Sequence, residues 1–260
     1  MEVAEYIDAL DCEGAQLAAA AERAGLLAAV PTCPGWRVRD LLRHQGHVHR
    51  WAGRFVAEAL ATSVPEPGEA EVLAGGPPDR ELLGWFQAGH TALVEALRAA
   101  PADLECWTFL PAPSPRAFWA RRQAHETAIH RVDAELAAGD VVTQVAADFA
   151  ASGVDELIMG FFGRDQRRLS AEQRTGRHPS VRVRATDVTA EWLVTLTEDG
   201  ARAASVRRGG GDADCRLEGP AAGLYLLLWN RIDPVAGQVT VGGDPAVLES
   251  WRAGMRVTWE

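Results

Sequence analysis

The stretch ARRQAHETAIHRVDAEL, residues 120–136, carries two histidines and three carboxylates in a single run. It differs from the metalloprotease signature H-E-x-x-H, because one residue too many separates His125 from His130. Apolar residues recur at helical spacing between Pro115 and Gly139, which predicts a helix over this segment. Each helical residue advances by about 100°, so His125 lies about 140° from His130 and the two cannot share a metal ion.

Glu126 and His130 lie four residues apart and therefore share one face of this helix. They border the apolar stripe, so we expect both to point inward, where an isolated carboxylate must pair or bind a metal. Without a ligand from another helix, the pair would be only a surface hydrogen bond. Asp133 is expected either to orient the imidazole of His130 or to form a salt bridge with Arg122 or Arg131 on a solvated face.

A second predicted helix, from about Val38 to Leu60, contains three histidines that could supply a third metal ligand. Helical spacing assigns His47 to an arginine-rich arc, which we expect to face solvent. His44 and His49 lie at opposite edges of the apolar stripe. Spacing alone therefore favours His44 or His49 over His47, and it leaves the choice between those two open.

The distribution of apolar residues predicts two domains with different architectures. Residues 1–140 contain four helical segments and are expected to form a four-helix bundle. Residues 141–260 are expected to form a small α+β domain with an antiparallel sheet. Its predicted helices span residues 149–162, 220–232 and 245–254, and its predicted strands span residues 180–186, 191–199, 201–208, 212–219 and 237–244.

Charge and cysteine usage exclude several classes of protein. A net charge of −10 disfavours a nucleic-acid partner, and no apolar run is long enough for a membrane helix. The acidic N-terminal segment is unlike a signal peptide, so we expect a cytoplasmic protein with reduced thiols at Cys12, Cys33, Cys106 and Cys215. Pro34 follows Cys33, and no histidine is expected near this thiol to activate it.

Two segments resemble mycothiol-dependent maleylpyruvate isomerase and its actinobacterial relatives, which belong to the DinB-like four-helix metalloproteins. They are VPTCPGWRVRDLLRH, residues 30–44, and HETAIHRVDAEL, residues 125–136. The resemblance implies that His44, Glu126 and His130 bind a divalent metal, usually zinc. It selects His44 over His49, because His44 lies eight residues after Trp36, as in the family. Trp36 itself is expected to anchor the start of the second helix.

The C-terminal half resembles the small domain of the same family. The matching segments are GPAAGLYLLLWNRI, residues 219–232, and VTVGGDPAVLESW, residues 239–251. The resemblance implies a functional arginine at Arg231, whose planar guanidinium suits a substrate carboxylate. The alternative role for Arg231 is a favourable interaction with the C-terminal dipole of the preceding helix.

The resemblance also implies an activity. In the family, mycothiol adds to the conjugated double bond of maleylpyruvate, the bond rotates, and elimination gives fumarylpyruvate. We therefore expect a zinc- and mycothiol-dependent isomerase, or an S-transferase, that acts as a monomer on a small carboxylated substrate. The alternatives are a non-catalytic metal- or ligand-binding module and a metal-dependent hydrolase that needs no thiol.

Overall fold

The structure, a computed structural model, describes residues 1–65, 67–165, 178–197 and 202–254. It divides between Thr143 and Gln144 into two compact units. Within the described ranges, no helix combines the length and apolar character needed to cross a bilayer. The first unit is helical and the second combines helices with a five-stranded sheet, which confirms the predicted two-domain α+β class.

Within its described residues, the first unit contains four long helices and one short helix. They are α1 (Val3–Ala24), α2 (Val38–Ala57), α3 (Glu69–Ala74), α4 (Asp79–Ala99) and α5 (Pro115–Ala138). Local sequence determines both ends of α5: the Ser114 hydroxyl accepts a hydrogen bond from Ala117 N at 3.2 Å, and Gly139 adopts a left-handed conformation at φ 73°. The short α3 lies in the Pro/Gly-rich connection between α2 and α4.

The long helices pack so that α1 contacts α4 and α5, while α2 contacts the same two helices. Close approaches depend on glycines. A Cβ at Gly14 would lie 2.3 Å from the His90 ring, and one at Gly46 would lie 2.2 Å from the Trp85 ring. In this arrangement α5 is buried on nearly all of its faces, including the face that carries its polar residues.

The arc of α2 that carries His47 does not face solvent as predicted. His47 is half-buried, because α4 packs over this arc. The Arg50 guanidinium lies 3.8 Å from the Trp85 ring centroid and donates to the Trp85 carbonyl at 2.6 Å. The aliphatic part of an arginine covers apolar surface, so an arginine-rich arc does not by itself identify a solvent-exposed face.

The second unit has its sheet in the order β3-β2-β1-β4-β5. The strands are β1 (Ser180–Ala185), β2 (Glu191–Leu196), β3 (Ala203–Arg208), β4 (Cys215–Gly219) and β5 (Thr240–Gly243). The helices are α6 (Ala147–Asp155), its π-helical continuation Glu156–Phe162, α7 (Gly163–Asp165), α8 (Ala221–Leu228) and α9 (Pro245–Gly254). Positions 198, 199 and 201, at the ends of two predicted strands, lie outside the described residues.

The sheet is mixed, so the prediction of a wholly antiparallel sheet was wrong in one pairing. β1 and β4 run parallel, with Val181 opposite Cys215, whereas the other three pairings are antiparallel. The hairpin of β2 and β3 lies on one side of β1, and the chain then returns to add β4 on the other side. Alternation along each strand identifies its buried face but not its neighbours, which is why the sequence did not reveal this crossover.

Candidate metal centre

Helix α5 brings Glu126 and His130 together. His130 Nε2 lies 3.3 Å from Glu126 Oε1, as expected for side chains one helical turn apart. The His130 side chain is buried, while Glu126 keeps 22% of its side-chain surface exposed. His130 thus lies inside the protein, whereas the Glu126 carboxylate remains partly accessible to solvent.

Helix α2 adds a second imidazole. His44 Nε2 lies 3.2 Å from Glu126 Oε1, and the His44 and His130 ring centroids are 4.8 Å apart. One nitrogen or oxygen atom from each of the three side chains lies within 4.8 Å of the others. The structure therefore brings together the three residues that the resemblance selected.

His49 is engaged elsewhere in the same unit. Its Nε2 lies 2.9 Å from the Thr127 hydroxyl and 2.9 Å from Gln45 Nε2. The ring is fully buried and also lies 5.2 Å from that of His90. His44 and His49 point about 140° apart on α2, so only His44 faces Glu126.

Three cationic or hydrogen-bonding neighbours keep Glu126 ionised. Burial alone would raise the pKa of this carboxyl, but hydrogen bonds from His130 and His44 and the charge of Arg122 outweigh it. The pKa of Glu126 consequently lies well below its ordinary value. Arg122 Nη2 lies 2.8 Å from Glu126 Oε2, so the two oxygens of the carboxylate have different partners.

The pKa values of the two imidazoles are shifted in opposite directions. Burial lowers the pKa of His44 more than its hydrogen bond to Glu126 raises it. Burial also acts to lower the pKa of His130, but Asp133 and Glu126 outweigh it and the pKa is raised. Because a metal ligand must be the neutral ring, protonation competes with metal binding more strongly at His130 than at His44.

Asp133 contacts His130 and does not lie on a solvated face. His130 Nδ1 lies 2.8 Å from Asp133 Oδ2, and the aspartate side chain is fully buried. A carboxylate only accepts hydrogen bonds, so the contact with Asp133 favours a proton on Nδ1 and leaves Nε2, which faces Glu126, as the nitrogen available to a metal. The expected alternative partners are engaged elsewhere: Arg122 with Glu126, and Arg131 with Glu13 and Glu135.

Two residues of the turn before α2 lie closer to the centre than expected. Cys33 Sγ lies 3.6 Å from Asp133 Oδ2, and Cys33, His130 and Asp133 also present donor atoms within 4.8 Å of one another. The expectation that no histidine lies near Cys33 was therefore wrong. Trp36 lies over both imidazoles, with ring centroids 5.1 Å from His44 and 6.3 Å from His130.

Two further candidate residues are His125 and Arg231. His125 is fully buried and packs its ring against Tyr6 of α1 at 5.9 Å, which agrees with its exclusion from a shared metal site. Arg231 belongs to the second unit and follows α8. Its Nη1 donates to the Trp229 carbonyl at 2.7 Å.

The sequence alone does not identify the contacts that Arg122 and Thr32 make in this centre. The i, i+4 spacing of Arg122 and Glu126 nevertheless contains the signal for an ion pair on α5. Nothing in the sequence pointed to Thr32, because its contact with Asp133 joins residues 101 positions apart.

The donor set fits a divalent metal. Two imidazole nitrogens and one carboxylate oxygen are the ligands of a common class of catalytic zinc site, in which a fourth position stays open. Glu126 is ionised, the pKa of His44 is lowered, and His130 is oriented by a carboxylate in the manner typical of metal-bound histidines. Each of these properties favours cation binding.

Comparisons with known proteins agree with this arrangement. Residues 7–135 match the family described as "Mycothiol maleylpyruvate isomerase N-terminal domain", and residues 148–250 match "MDMPI C-terminal domain". No curated protein matches the chain in a sequence comparison.

Two solved structures share the fold. One, described as the crystal structure of the mycothiol-dependent maleylpyruvate isomerase, is 14% identical with a TM-score of 0.64 over 93% of each chain. The other, a histidine-to-alanine mutant of that isomerase, is 13% identical with a TM-score of 0.64 over the same shares. These identities support the fold alone, whereas the two family matches span both units. The chain belongs to the mycothiol maleylpyruvate isomerase family.

Proposed function

We propose that this protein is a divalent-metal- and mycothiol-dependent enzyme in which His44, Glu126 and His130 hold zinc. The convergence of their three donor atoms within 4.8 Å carries the proposal. Family membership supports the thiol, because mycothiol is part of the family's description. We further propose that the protein is a cytoplasmic monomer and that it acts on a small carboxylated molecule.

The protein's own residues prepare the centre for this chemistry. A bound divalent metal would lower the pKa of a coordinated thiol and so favour the nucleophilic thiolate. Arg122 holds one oxygen of Glu126, which leaves the other oxygen directed at the two imidazoles. Asp133 keeps the proton of His130 on Nδ1, so that Nε2 can bind. The Trp36 ring lies beside both imidazoles.

The proposed reaction is a cis–trans isomerisation by reversible thiol addition. The thiolate sulfur forms a bond to one carbon of a double bond conjugated to a carbonyl, and the displaced electron pair moves to the carbonyl oxygen. The former double bond is then single and rotates. Return of the electron pair re-forms the double bond and breaks the carbon–sulfur bond, which regenerates the thiolate without any oxidant or reductant.

Arg231 is proposed to bind the substrate carboxylate. A guanidinium pairs with a carboxylate through two parallel hydrogen bonds and so fixes its orientation. Transfer of the thiol to an electrophile without elimination is the alternative outcome of the same addition.

Metal analysis and turnover together test the proposal. The purified protein should contain one equivalent of divalent metal, which His44→Ala should lose and the matched control His47→Ala should retain. Maleylpyruvate should isomerise only when mycothiol is added. Metal retained without turnover by any thiol would indicate a binding module, and activity that survives thiol removal would indicate a hydrolase. Unchanged metal in His44→Ala would reject the ligand assignment.

A further inference from the structure

The turn between α1 and α2 is held in a defined conformation directly beside the candidate metal centre. Val30 N donates to Trp36 O at 3.0 Å, and Cys33 N donates back to Val30 O at 3.1 Å. Gly35 supplies the left-handed conformation that closes the turn, with φ of 89°. Backbone hydrogen bonds thus fix the positions from which Thr32 and Cys33 extend their side chains.

Thr32 and Cys33 both direct polar hydrogens at the same buried carboxylate. The Thr32 hydroxyl donates to Asp133 Oδ1 at 2.5 Å, and Cys33 Sγ lies 3.6 Å from Asp133 Oδ2. The second contact is long and a thiol is a weak donor, so the hydroxyl is the stronger partner. The same carboxylate also contacts His130 Nδ1, at 2.8 Å from Oδ2.

We propose that Thr32 is a positioning residue for the metal centre, acting through Asp133 on His130. The hydroxyl holds one oxygen of Asp133, so the other oxygen stays in the plane where it accepts from His130 Nδ1. The imidazole is thereby held in one tautomer, with Nε2 directed at Glu126 and His44. This inference rests on the proposed metal site and adds the residue that orients its supporting carboxylate.

The expected size of the effect follows from the position of Thr32 in this chain of contacts. Groups that orient a metal-bound histidine typically change metal affinity by about 10- to 100-fold when removed. Thr32 acts one step further from the metal than Asp133, so we expect about a tenfold loss, at the lower end of that range. A hydroxyl that merely braced the turn would change the stability of the metal-free protein and leave metal affinity per folded molecule unchanged.

Competition with a chromogenic chelator tests this in the full chain. The dissociation constant for Zn²⁺ should rise about tenfold in Thr32→Val, which removes the hydroxyl at nearly constant volume, and return close to wild type in Thr32→Ser. Thr108→Val, at a half-buried threonine between α4 and α5, is the matched control and should leave the constant unchanged. Urea unfolding of each metal-free variant measures the folded fraction, so that affinity is compared among folded proteins.

A second measurement is independent of metal. In metal-free protein at pH 9, the ring ¹⁵N signals of His130 should report a proton on Nδ1 in the wild type and a mixture of tautomers in Thr32→Val. If Thr32→Val does not fold, Thr32→Ala replaces it in both measurements. Equal affinities and equal ring signals with and without the hydroxyl would overturn the role of Thr32. A wild-type protein that binds no Zn²⁺ would instead overturn the proposed function on which that role depends.

Discussion

Arg122 and Glu126 form an ion pair one helical turn apart on α5, with 2.8 Å between Arg122 Nη2 and Glu126 Oε2. The arginine side chain is only 3% exposed, so this is a largely buried pair inside the candidate centre. It gives the carboxylate one cationic partner beside two imidazoles. The pair therefore links the stability of the helical unit to the charge of the proposed metal ligand.

Arg122→Met should destabilise the metal-free protein by about 3 kcal/mol, because it leaves the charge of Glu126 without its cationic partner. This destabilisation is at the lower end of the range for breaking a buried ion pair, because the Glu126 side chain keeps 22% of its surface exposed. Urea unfolding at pH 7 measures the change. Arg54→Met, at a pair with 53% and 51% exposed side chains, is the control and should cost at most about 1 kcal/mol.

The same variant should change the acid dependence of stability. The folded-state pKa of Glu126 is depressed, so its contribution is present above the unfolded pKa and is lost as pH falls through the folded pKa. Removing Arg122 raises that folded pKa toward the unfolded value, so Arg122→Met should lose less stability on acidification, and its loss should be complete at a higher pH. Parallel stability curves for the two proteins would contradict this coupling.

Asp133→Asn should affect the metal-free protein most on the acid side of neutrality. Asp133 and Glu126 raise the pKa of His130 above 6.5, so this contribution is fully present below the unfolded pKa and is lost as pH rises through the folded one. The stability difference between wild type and Asp133→Asn should therefore be larger at pH 6 than at pH 9. Urea unfolding with chelator present measures it, and an equal difference at both values would exclude the linkage.

Substitutions of His44 and His49 should change different properties: the first should abolish stabilisation by Zn²⁺, and the second should lower the stability of the metal-free protein. His49→Ala removes a buried ring and its hydrogen bond to Thr127, so it should destabilise the metal-free fold by about 2 kcal/mol or more. It should still gain stability from Zn²⁺, by about 4 kcal/mol at a free concentration a thousandfold above the dissociation constant. His44→Ala should gain none. Thermal unfolding with and without Zn²⁺ distinguishes the two, and a metal response lost only in His49→Ala would reverse the assignment.

Packing between α1 and α4 depends on the missing side chain at Gly14. A Cβ there would lie 2.3 Å from the His90 ring, so Gly14→Ala should destabilise the protein by about 1–3 kcal/mol through overpacking. Gly84 is an exposed position on α4 where a Cβ meets nothing within 4 Å, so Gly84→Ala should stabilise by about 0.5–1 kcal/mol. Chemical denaturation of both variants measures the contrast, and two changes of the same sign would refute it.

Arg231→Lys should weaken substrate binding without affecting the metal. A lysine keeps the charge but cannot form two parallel hydrogen bonds to a carboxylate, so KM should rise about tenfold or more. Metal content measured on the same sample should stay at the wild-type value. An unchanged KM would contradict substrate binding by Arg231. It would favour the alternative role, an interaction with the C-terminal dipole of the preceding helix.

Several features could be predicted because they depend on neighbours along the chain. Ser114, Pro115 and Gly139 determine where α5 begins and ends, and four-residue spacing places Glu126 beside His130. The contacts of Asp133 with Thr32 and Cys33 depend on which helices and turns pack together, since Thr32 and Asp133 are 101 positions apart. The parallel pairing of β1 and β4 likewise depends on a return of the chain that strand alternation does not encode.

By itself, the sequence determined which side chains share a helical face, because the helical repeat is a property of the backbone and holds wherever a helix forms. It also determined the division into a helical and an α+β half, through the change from helical to alternating periodicity. Helical spacing left His44 and His49 open and the resemblance selected His44, but only the tertiary structure shows that His44 lies beside Glu126 and that Asp133 contacts His130. The rotation of α2 against α5 is set by the combined packing of α1, α4 and α5, including close approaches at Gly14 and Gly46, and no single segment contains that information.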